Sequence, residues 1–446
     1  MSKMKMMSAR DKKKDYLVPR LRFPEFRDTG EWGKVQLSKI AIPVSERATD
    51  GDADAVLTLS AEHGVVTQGS YFGKKIAGDD VTRYIKIKNN DFVYNDRTTK
   101  FYKYGTIKRL SRHTYGIVSP IYKCFRFNDE EIPVFWEWYF ESGEHDTQLH
   151  NIVNEGAKAG RFNISIQKFL SIFVYFPDKS EQQRIADCLS SLDERIAAET
   201  SKLDRLKDHK KGLLKQLFPA EGETLPQLRF PEFRNAGEWE NVQLGPQTTK
   251  VGSGVTPRGG DRNYIKQGRP FIRSQNVGWG ELILDDIVFI SEEIHRTFIS
   301  TEIEKNDILL NITGASIGRS AFADSRIAGG NVNQHVCIIR TKPSLLNSLF
   351  LMQYILSEYG QKQVDSFQAG GNRQGLNFAQ VKSFSIPTPP QSTVMQCACL
   401  EQQRIADCLS SLDELIASQT QKIDLLKDHK KGLMQQLFPR IDEVLA

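Results

Sequence analysis

The chain is poor in the signatures that would make it a secreted protein, a membrane protein or a stand-alone enzyme. Its six cysteines, Cys124, Cys188, Cys337, Cys397, Cys399 and Cys408, fall at spacings that make no disulfide framework. Cys397 and Cys399 lack a nearby His or further Cys to complete four ligands, so no metal site is expected. A reducing cytoplasm is the expected compartment. No apolar run approaches the length of a membrane span. The opening MSKMKMMSARDKKKD lacks the apolar core of a signal peptide, and residues 1–18 read as a disordered basic tail. The net charge of +5 permits a nucleic-acid partner without requiring one.

Catalytic patterns are also missing. No Gly-x-x-x-x-Gly-Lys-Ser/Thr loop occurs, and no Gly-x-Gly-x-x-Gly follows a strand. Gly252-Ser253-Gly254 is too short to count as a phosphate loop. The eight His form no spaced metal cluster. Gly314-Ala315-Ser316-Ile317-Gly318 imitates a nucleophile elbow only loosely, with no Asp or His that spacing would bring to Ser316. His209 and His429 are repeat equivalents, which points to solvation or packing.

What the chain does have is a duplication. Glu181 to Pro219 returns as Glu401 to Pro439 with roughly four positions in five unchanged. In the first copy Ile185, Leu189, Leu192, Ile196, Leu203, Leu206, Leu213 and Leu217 step by fours and threes. In the second, Ile405, Leu409, Leu412, Ile416, Ile423, Leu426, Leu433 and Leu437 do the same. Held for about five heptads, that spacing is a coiled-coil seam. Glu199, Lys210, Gln419 and Lys430 are polar seam positions, a type that more often fixes register than creates function. Homodimerisation through either helix is one way to cover such a seam. The sharper expectation pairs the two copies within one molecule, as antiparallel rods of roughly 55 Å that act as a rigid spacer.

The repeat reaches beyond the helices. Leu21 to Arg27 (LRFPEFR) recurs as Leu228 to Arg234, and Gly30-Glu31-Trp32 recurs as Gly237-Glu238-Trp239. Each helix is therefore preceded by an entry motif and a variable body. Asn90 to Asn95 can be laid against Asn306 to Asn311. Runs at Asp91–Tyr94, Tyr122–Phe127, Ile308–Ile312 and Val336–Arg340 read as strands, and Pro133–Gly143 and Leu345–Tyr359 as helices. Each body is expected to be a mixed α/β domain with a curved sheet, giving an α+β chain with an internal pseudo-two-fold repeat. Matching frames with divergent centres suggest one scaffold presenting two different surfaces. A catalyst duplicated for symmetry would have repeated its reactive residues.

The divergent centres are rich in Gly, Asn, Gln, Ser, Thr and Arg, side chains suited to base edges and phosphates. In the second body the candidates are Arg273, Ser274 and Asn276; then Asn311, Thr313, Ser316 and Arg319; then Asn331, Asn333, Gln334 and His335; and finally Arg373 and Gln374. In the first body they are Asn95, Arg97, Thr98, Lys100, Tyr102 and Lys103, with a later cluster of Lys158, Arg161 and Asn163. The plainer role for such loops is as turns in which Asn satisfies backbone groups.

EQQRIADCLSSLDE twice, LRFPEF with GEW twice, and NDILLNITGASIGRS with GGNVNQHV together resemble the specificity subunit of type I restriction-modification enzymes, over about Pro19 to Pro439. The resemblance implies target recognition domains at 19–180 and 227–400, conserved spacer helices at 181–219 and 401–439, a linker at 220–226 and a tail at 440–446. It implies that the two helices pack antiparallel and that each domain reads half of a split, asymmetric duplex target. It also implies partners: two modification subunits that carry S-adenosylmethionine and methylate adenine, and restriction subunits that bring ATP-driven translocation and cleavage. This chain would hold no cofactor and perform no chemistry. An assembly protein without sequence readout, or a stand-alone DNA-modifying enzyme, are the rival readings. Two departures from the family pattern stand out: residues 391–400 are inserted after Pro389-Pro390, and the first body lacks the NITGASIG wording.

Overall fold

The computed structural model describes residues 17–74, 78, 80–100, 102–153, 162–368, 375–390 and 399–439. The chain divides into two compact units, Met1–Ala198 with Ile423–Ala446, and Glu199–Lys422. Lys158, Arg161, Arg373, Gln374, Cys397, residues 391–398 of the insertion and the tail from 440 lie outside the described residues.

The first unit is built on a four-stranded antiparallel sheet in the order Ala41–Pro43, Lys123–Phe127, Phe92–Asn95, Thr106–Arg109. One face of this sheet is aromatic. Phe92 stacks on Phe125 with ring centres 5.3 Å apart, and Tyr94 stacks on Phe169 at 4.6 Å. The helix Pro133–Ser142 covers this face with Phe135, Trp136, Tyr139 and Phe140, all buried. Aromatic side chains remove large apolar areas from water, so a few of them suffice to fix a small core. Ile185, Ala186 and Leu189 from the start of the first long helix complete that core, together with Leu437 and Phe438 from the end of the second.

The second unit repeats the plan. Its main sheet runs Thr248–Ser253, Val336–Thr341, Ile308–Asn311, Ser320–Phe322, the same order of equivalents. Its core takes Leu217 and Phe218 from the end of the first long helix and Ile405, Ala406 and Leu409 from the start of the second. A smaller sheet joins Val288–Ile290, Arg269–Ile272 and Asn331–Val332, the last pair parallel. The apolar stretch expected as one helix over 345–359 is two helices, Ser348–Leu356 and Glu358–Ser366. Ser357 makes the break: its hydroxyl donates back to the Tyr354 carbonyl and accepts the Gly360 amide. Side chains of this type compete with helical hydrogen bonds in just this way.

The repeat extends to single side chains. Asn90 and Asn306 both adopt positive φ, 70° and 75°, a conformation Asn tolerates better than most residues. The next residues, Asp91 and Asp307, are fully buried. Each caps its own turn by accepting a backbone amide, from Lys88 and Glu304 respectively. Each also accepts two N–H bonds from an arginine on the neighbouring strand, Arg126 and Arg340. That pairing raises both guanidinium pKa values, with the carboxylate hydrogen bond the main cause.

The entry motif is a clamp. Arg22 donates two hydrogen bonds to Glu181, at 2.8 and 2.6 Å, and one to the Gly30 carbonyl. Arg229 does the same with Glu401 and the Gly237 carbonyl. Arg184 and Arg404 then lie over the Phe23 and Phe230 rings at 5.1 and 5.0 Å. The repeated LRFPEF thus locks the start of each long helix.

Those helices span Lys179–Leu217 and Leu400–Leu437. Within the second unit Glu199 bonds Gln419 and Lys210 bonds Asp413, so numbers rise along one helix as they fall along the other. The pair is antiparallel. Every residue named for the seam is buried or half-buried. Among the described residues no helix is long and apolar enough to cross a membrane.

Candidate nucleic-acid interface

In each unit a central strand ends in an asparagine, and the candidate loops start there. In the second unit that residue is Asn311, fully buried at the end of Ile308–Asn311. Its amide nitrogen donates to the Ser274 carbonyl at 2.8 Å. Its Oδ1 is buried without a hydrogen-bond partner. The backbone then turns through Gly314 and Gly318, both at positive φ, and closes with Asn311 N–H to the Arg319 carbonyl. Thr313, Ser316 and Arg319 on this turn are half-buried.

The other candidate segments meet it. Thr313 Oγ1 lies 2.5 Å from His335 Nδ1, and His335 Nε2 lies 3.0 Å from the Gln334 amide nitrogen. Gln334 is exposed and accepts the Thr256 hydroxyl at Oε1. Asn333, buried, holds the turn by accepting the His335 amide. Thr313 also forms a bridge with Gly375, beside the described edge of the Gly370–Gly375 loop. Thr313 is thus the point at which the turn after Asn311 meets His335 and Gly375.

Several asparagines are used inside the loops. Asn276 accepts the Arg273 amide and donates to the Ile283 carbonyl and to Asp286. Asn331 contacts His295 Nδ1 at 2.7 Å and donates to the Phe298 carbonyl and the Thr301 hydroxyl. A buried amide with its hydrogen-bonding groups occupied fixes loop shape. Arg273 sits over the Tyr264 ring at 5.6 Å and pairs with Asp286 at 3.2 Å.

In the first unit the equivalent loop is Asn95–Gly105. Asn95 is half-buried, and its Oδ1, like that of Asn311, has no hydrogen-bond partner. The next residue anchors the loop: Asp96, fully buried, accepts Lys123 Nζ at 2.5 Å and the Ile164 amide at 3.2 Å. Its carbonyl accepts the Phe162 amide, which brings Asn163 alongside. Arg97, Thr98, Lys100, Lys103 and Asn163 are exposed. Thr98 donates to the Lys103 carbonyl, and Lys103 lies over the Tyr104 ring at 5.3 Å. Tyr102 is half-buried, donating to Glu141 and accepting from Lys108. Burial raises the Tyr102 pKa, as it does that of the nearby Glu137 carboxyl, whose partner is Arg109.

Thr256 and Asp96 are participants that sequence reasoning passed over. The available signal was Gly254: a Cβ there would stand 1.6 Å from the Val332 carbonyl oxygen, so only glycine lets these segments meet.

Residues 237–428 match the family described as type I restriction modification DNA specificity domain. The MjaVIII type I restriction enzyme specificity subunit of Methanocaldococcus jannaschii is 23% identical over 276 residues, 60% of this chain and 62% of that one. The putative MjaX specificity subunit of the same organism is 22% identical over 266 residues, 59% and 57% of the two chains. The EcoBI specificity subunit of Escherichia coli is 31% identical over 138 residues, 30% and 28%. The match thus spans about three fifths of the length of the first two relatives. Among solved structures, a type I restriction-modification S subunit from M. genitalium aligns with a TM-score of 0.56 at 14% identity, over 95% of this chain and 99% of that one. A chain from a study of complex assembly and conformational transition in the type I R-M system aligns at 0.53 and 18%, over 92% and 97%. At those identities the likeness is one of fold.

Proposed function

We propose that the chain is a specificity subunit of the type I restriction-modification family and that it reads a two-part, asymmetric duplex target, one half with each body. The observation that carries this reading is the contrast between frame and loops. The same strand order, the same Asn–Asp–Arg clamp and the same helix lock occur twice, while the loops after Asn95 and Asn311 share no wording. One scaffold carrying two unlike surfaces suits two unlike ligands, and duplex DNA offers them as base edges in successive grooves.

In this reading the chain performs no reaction and holds no cofactor. Exposed Arg and Lys side chains position the phosphates, and the Thr, Ser, Gln and Arg side chains of the loops meet base edges. Two modification subunits bring S-adenosylmethionine for adenine methylation, and restriction subunits bring ATP-driven translocation and cleavage. The specificity chain scaffolds both. Methylome sequencing of cells carrying the intact system is the test. Methylated adenines should fall in a sequence of two short specified parts separated by unspecified bases. A single uninterrupted motif would contradict the reading, as would methylation without sequence preference.

A further inference from the structure

We propose that Asn163 is a base-reading residue of the first body, held out by Asp96 so that its amide meets the major-groove edge of an adenine. The inference rests on the DNA-reading function proposed above. It assigns within that function one residue that reads and two, Asp96 and Lys123, that aim it.

Asn163 stands in a backbone conformation that its neighbours enforce. Its φ is 49°, in the left-handed region. On both sides of it the chain is pinned to Asp96. The Phe162 amide donates to the Asp96 carbonyl at 3.1 Å, and the Ile164 amide donates to the Asp96 carboxylate at 3.2 Å. Backbone amides only donate and these oxygens accept, so neither bond has a second assignment. The same carboxylate oxygen accepts Lys123 Nζ at 2.5 Å, with Asp96 fully buried. Ile164 packs in the core, while Asn163, between the two anchors, is exposed.

The second unit shows what this arrangement adds. Ile164 and Leu376 each precede the side chain that caps the next helix, Ser165 for Ile166–Leu170 and Asn377 for Phe378–Lys382. Asp96 and Ile312 each follow the asparagine that ends the central strand. Lys123 and Cys337 each pair with the residue before that asparagine, Tyr94 and Leu310. In the second unit the two places, Ile312 and Cys337, are apolar and buried, and Leu376 donates its amide straight to the Ile312 carbonyl. In the first unit the equivalent carbonyl takes Phe162 instead. The Asp96 side chain reaches the Ile164 amide, and the chain between these anchors carries Asn163 to the surface.

Glycine meets a positive φ with no steric cost, so the backbone alone gives no preference for an amide side chain here. That side chain offers a donor and an acceptor in one plane, and a turn of the amide exchanges them to suit a ligand. Adenine presents the complementary pair in the major groove, N7 as acceptor and the N6 amino group as donor. Guanine offers two acceptors there, thymine one acceptor beside a methyl group, and cytosine a donor. Asn163 is the group in contact with the base; Asp96 and Lys123 are positioning residues.

The test is competition binding by the full chain assembled with its methyltransferase subunits, against duplexes varied one base pair at a time. Asn163→Gly keeps the left-handed backbone and removes the amide. It should melt like the wild type and lower the preference for adenine at one base pair by about tenfold. Placing 7-deazaadenine there should weaken binding by the wild-type complex and leave the Asn163→Gly complex unchanged. The other half of the target should be unaffected. Asp96→Ile combined with Lys123→Cys imports the apolar pair of the second unit and strands no charge. It should reduce the preference at the same base pair and add nothing to the loss in Asn163→Gly. Asp96→Asn, nearly identical in shape, should weaken the same preference to a lesser degree. An unchanged adenine preference in Asn163→Gly, insensitivity to 7-deazaadenine, a loss spread over both halves, or full preference in both Asp96 variants would overturn the inference. A wild-type complex with no base preference at all would instead overturn the DNA-reading function on which it stands.

Discussion

At the scale of single residues, the strongest constraints are buried ion pairs that join segments remote in sequence. Arg22 and Glu181 are 159 positions apart, with side chains only 6% and 1% exposed. Removing one partner of such a pair strands a charge away from water. We expect Glu181→Ala to destabilise the first unit by about 3–5 kcal/mol in denaturant unfolding. Glu401→Ala should act on the second unit through Arg229; a loss below about 1 kcal/mol in both would mean the clamps do not hold the helices. The duplication of LRFPEF and EQQRIA was legible in the sequence, but not that Arg22 meets Glu181, because no periodicity links positions so far apart. The same holds for Thr256, whose role depends on two loops converging. Titration offers a second residue-scale check. Burial pushes the Asp146 carboxyl up to about 6, while the neighbouring His145 is pushed down to about 3. A carboxyl raised in the folded state favours folding while protonated, and that contribution fades as pH rises through 6. Asp146→Asn should therefore melt higher than wild type at pH 8, with the difference shrinking as pH falls toward 4. A difference independent of pH would refute that assignment.

At the scale of elements, the two long helices carry polar groups in an otherwise apolar seam, and each of those groups has a partner. Gln419 donates to the Glu199 carbonyl and carboxylate, Lys210 pairs with Asp413, and its repeat equivalent Lys430 pairs with Asp193. Gln419 is the main cause of the lowered Glu199 pKa, with Lys422 next. Polar seam residues select register at the expense of stability. Replacing both Glu199 and Gln419 by Leu should raise the melting temperature, whereas Gln419→Leu alone should not, since it leaves the carboxylate against an apolar neighbour. If the single and double variants melted alike, the pair would have no coupling to explain. Helices of this length announce themselves, since a sustained heptad is a strong local signal; they run Lys179–Leu217 and Leu400–Leu437 against anticipated stretches of 181–219 and 401–439. The strand order of the bodies was not legible. It depends on pairings such as Phe92 with Phe125, which propensity does not encode. The break at Ser357 was hidden for the opposite reason, an apolar run continuing across a side-chain cap.

At the scale of the whole molecule, the account rests on modularity: two bodies with a common frame and independent surfaces. If phosphate contacts supply much of the affinity, binding to duplex DNA by the assembled complex should fall steeply and linearly in log–log form as salt rises. A weak salt dependence would point away from a nucleic-acid ligand. The most direct measurement exchanges residues 41–176 for the corresponding body of a type I specificity subunit and sequences the methylome of cells carrying the hybrid system. One part of the methylated sequence should change while the other stays as it was. A change in both parts, or in neither, would contradict the account.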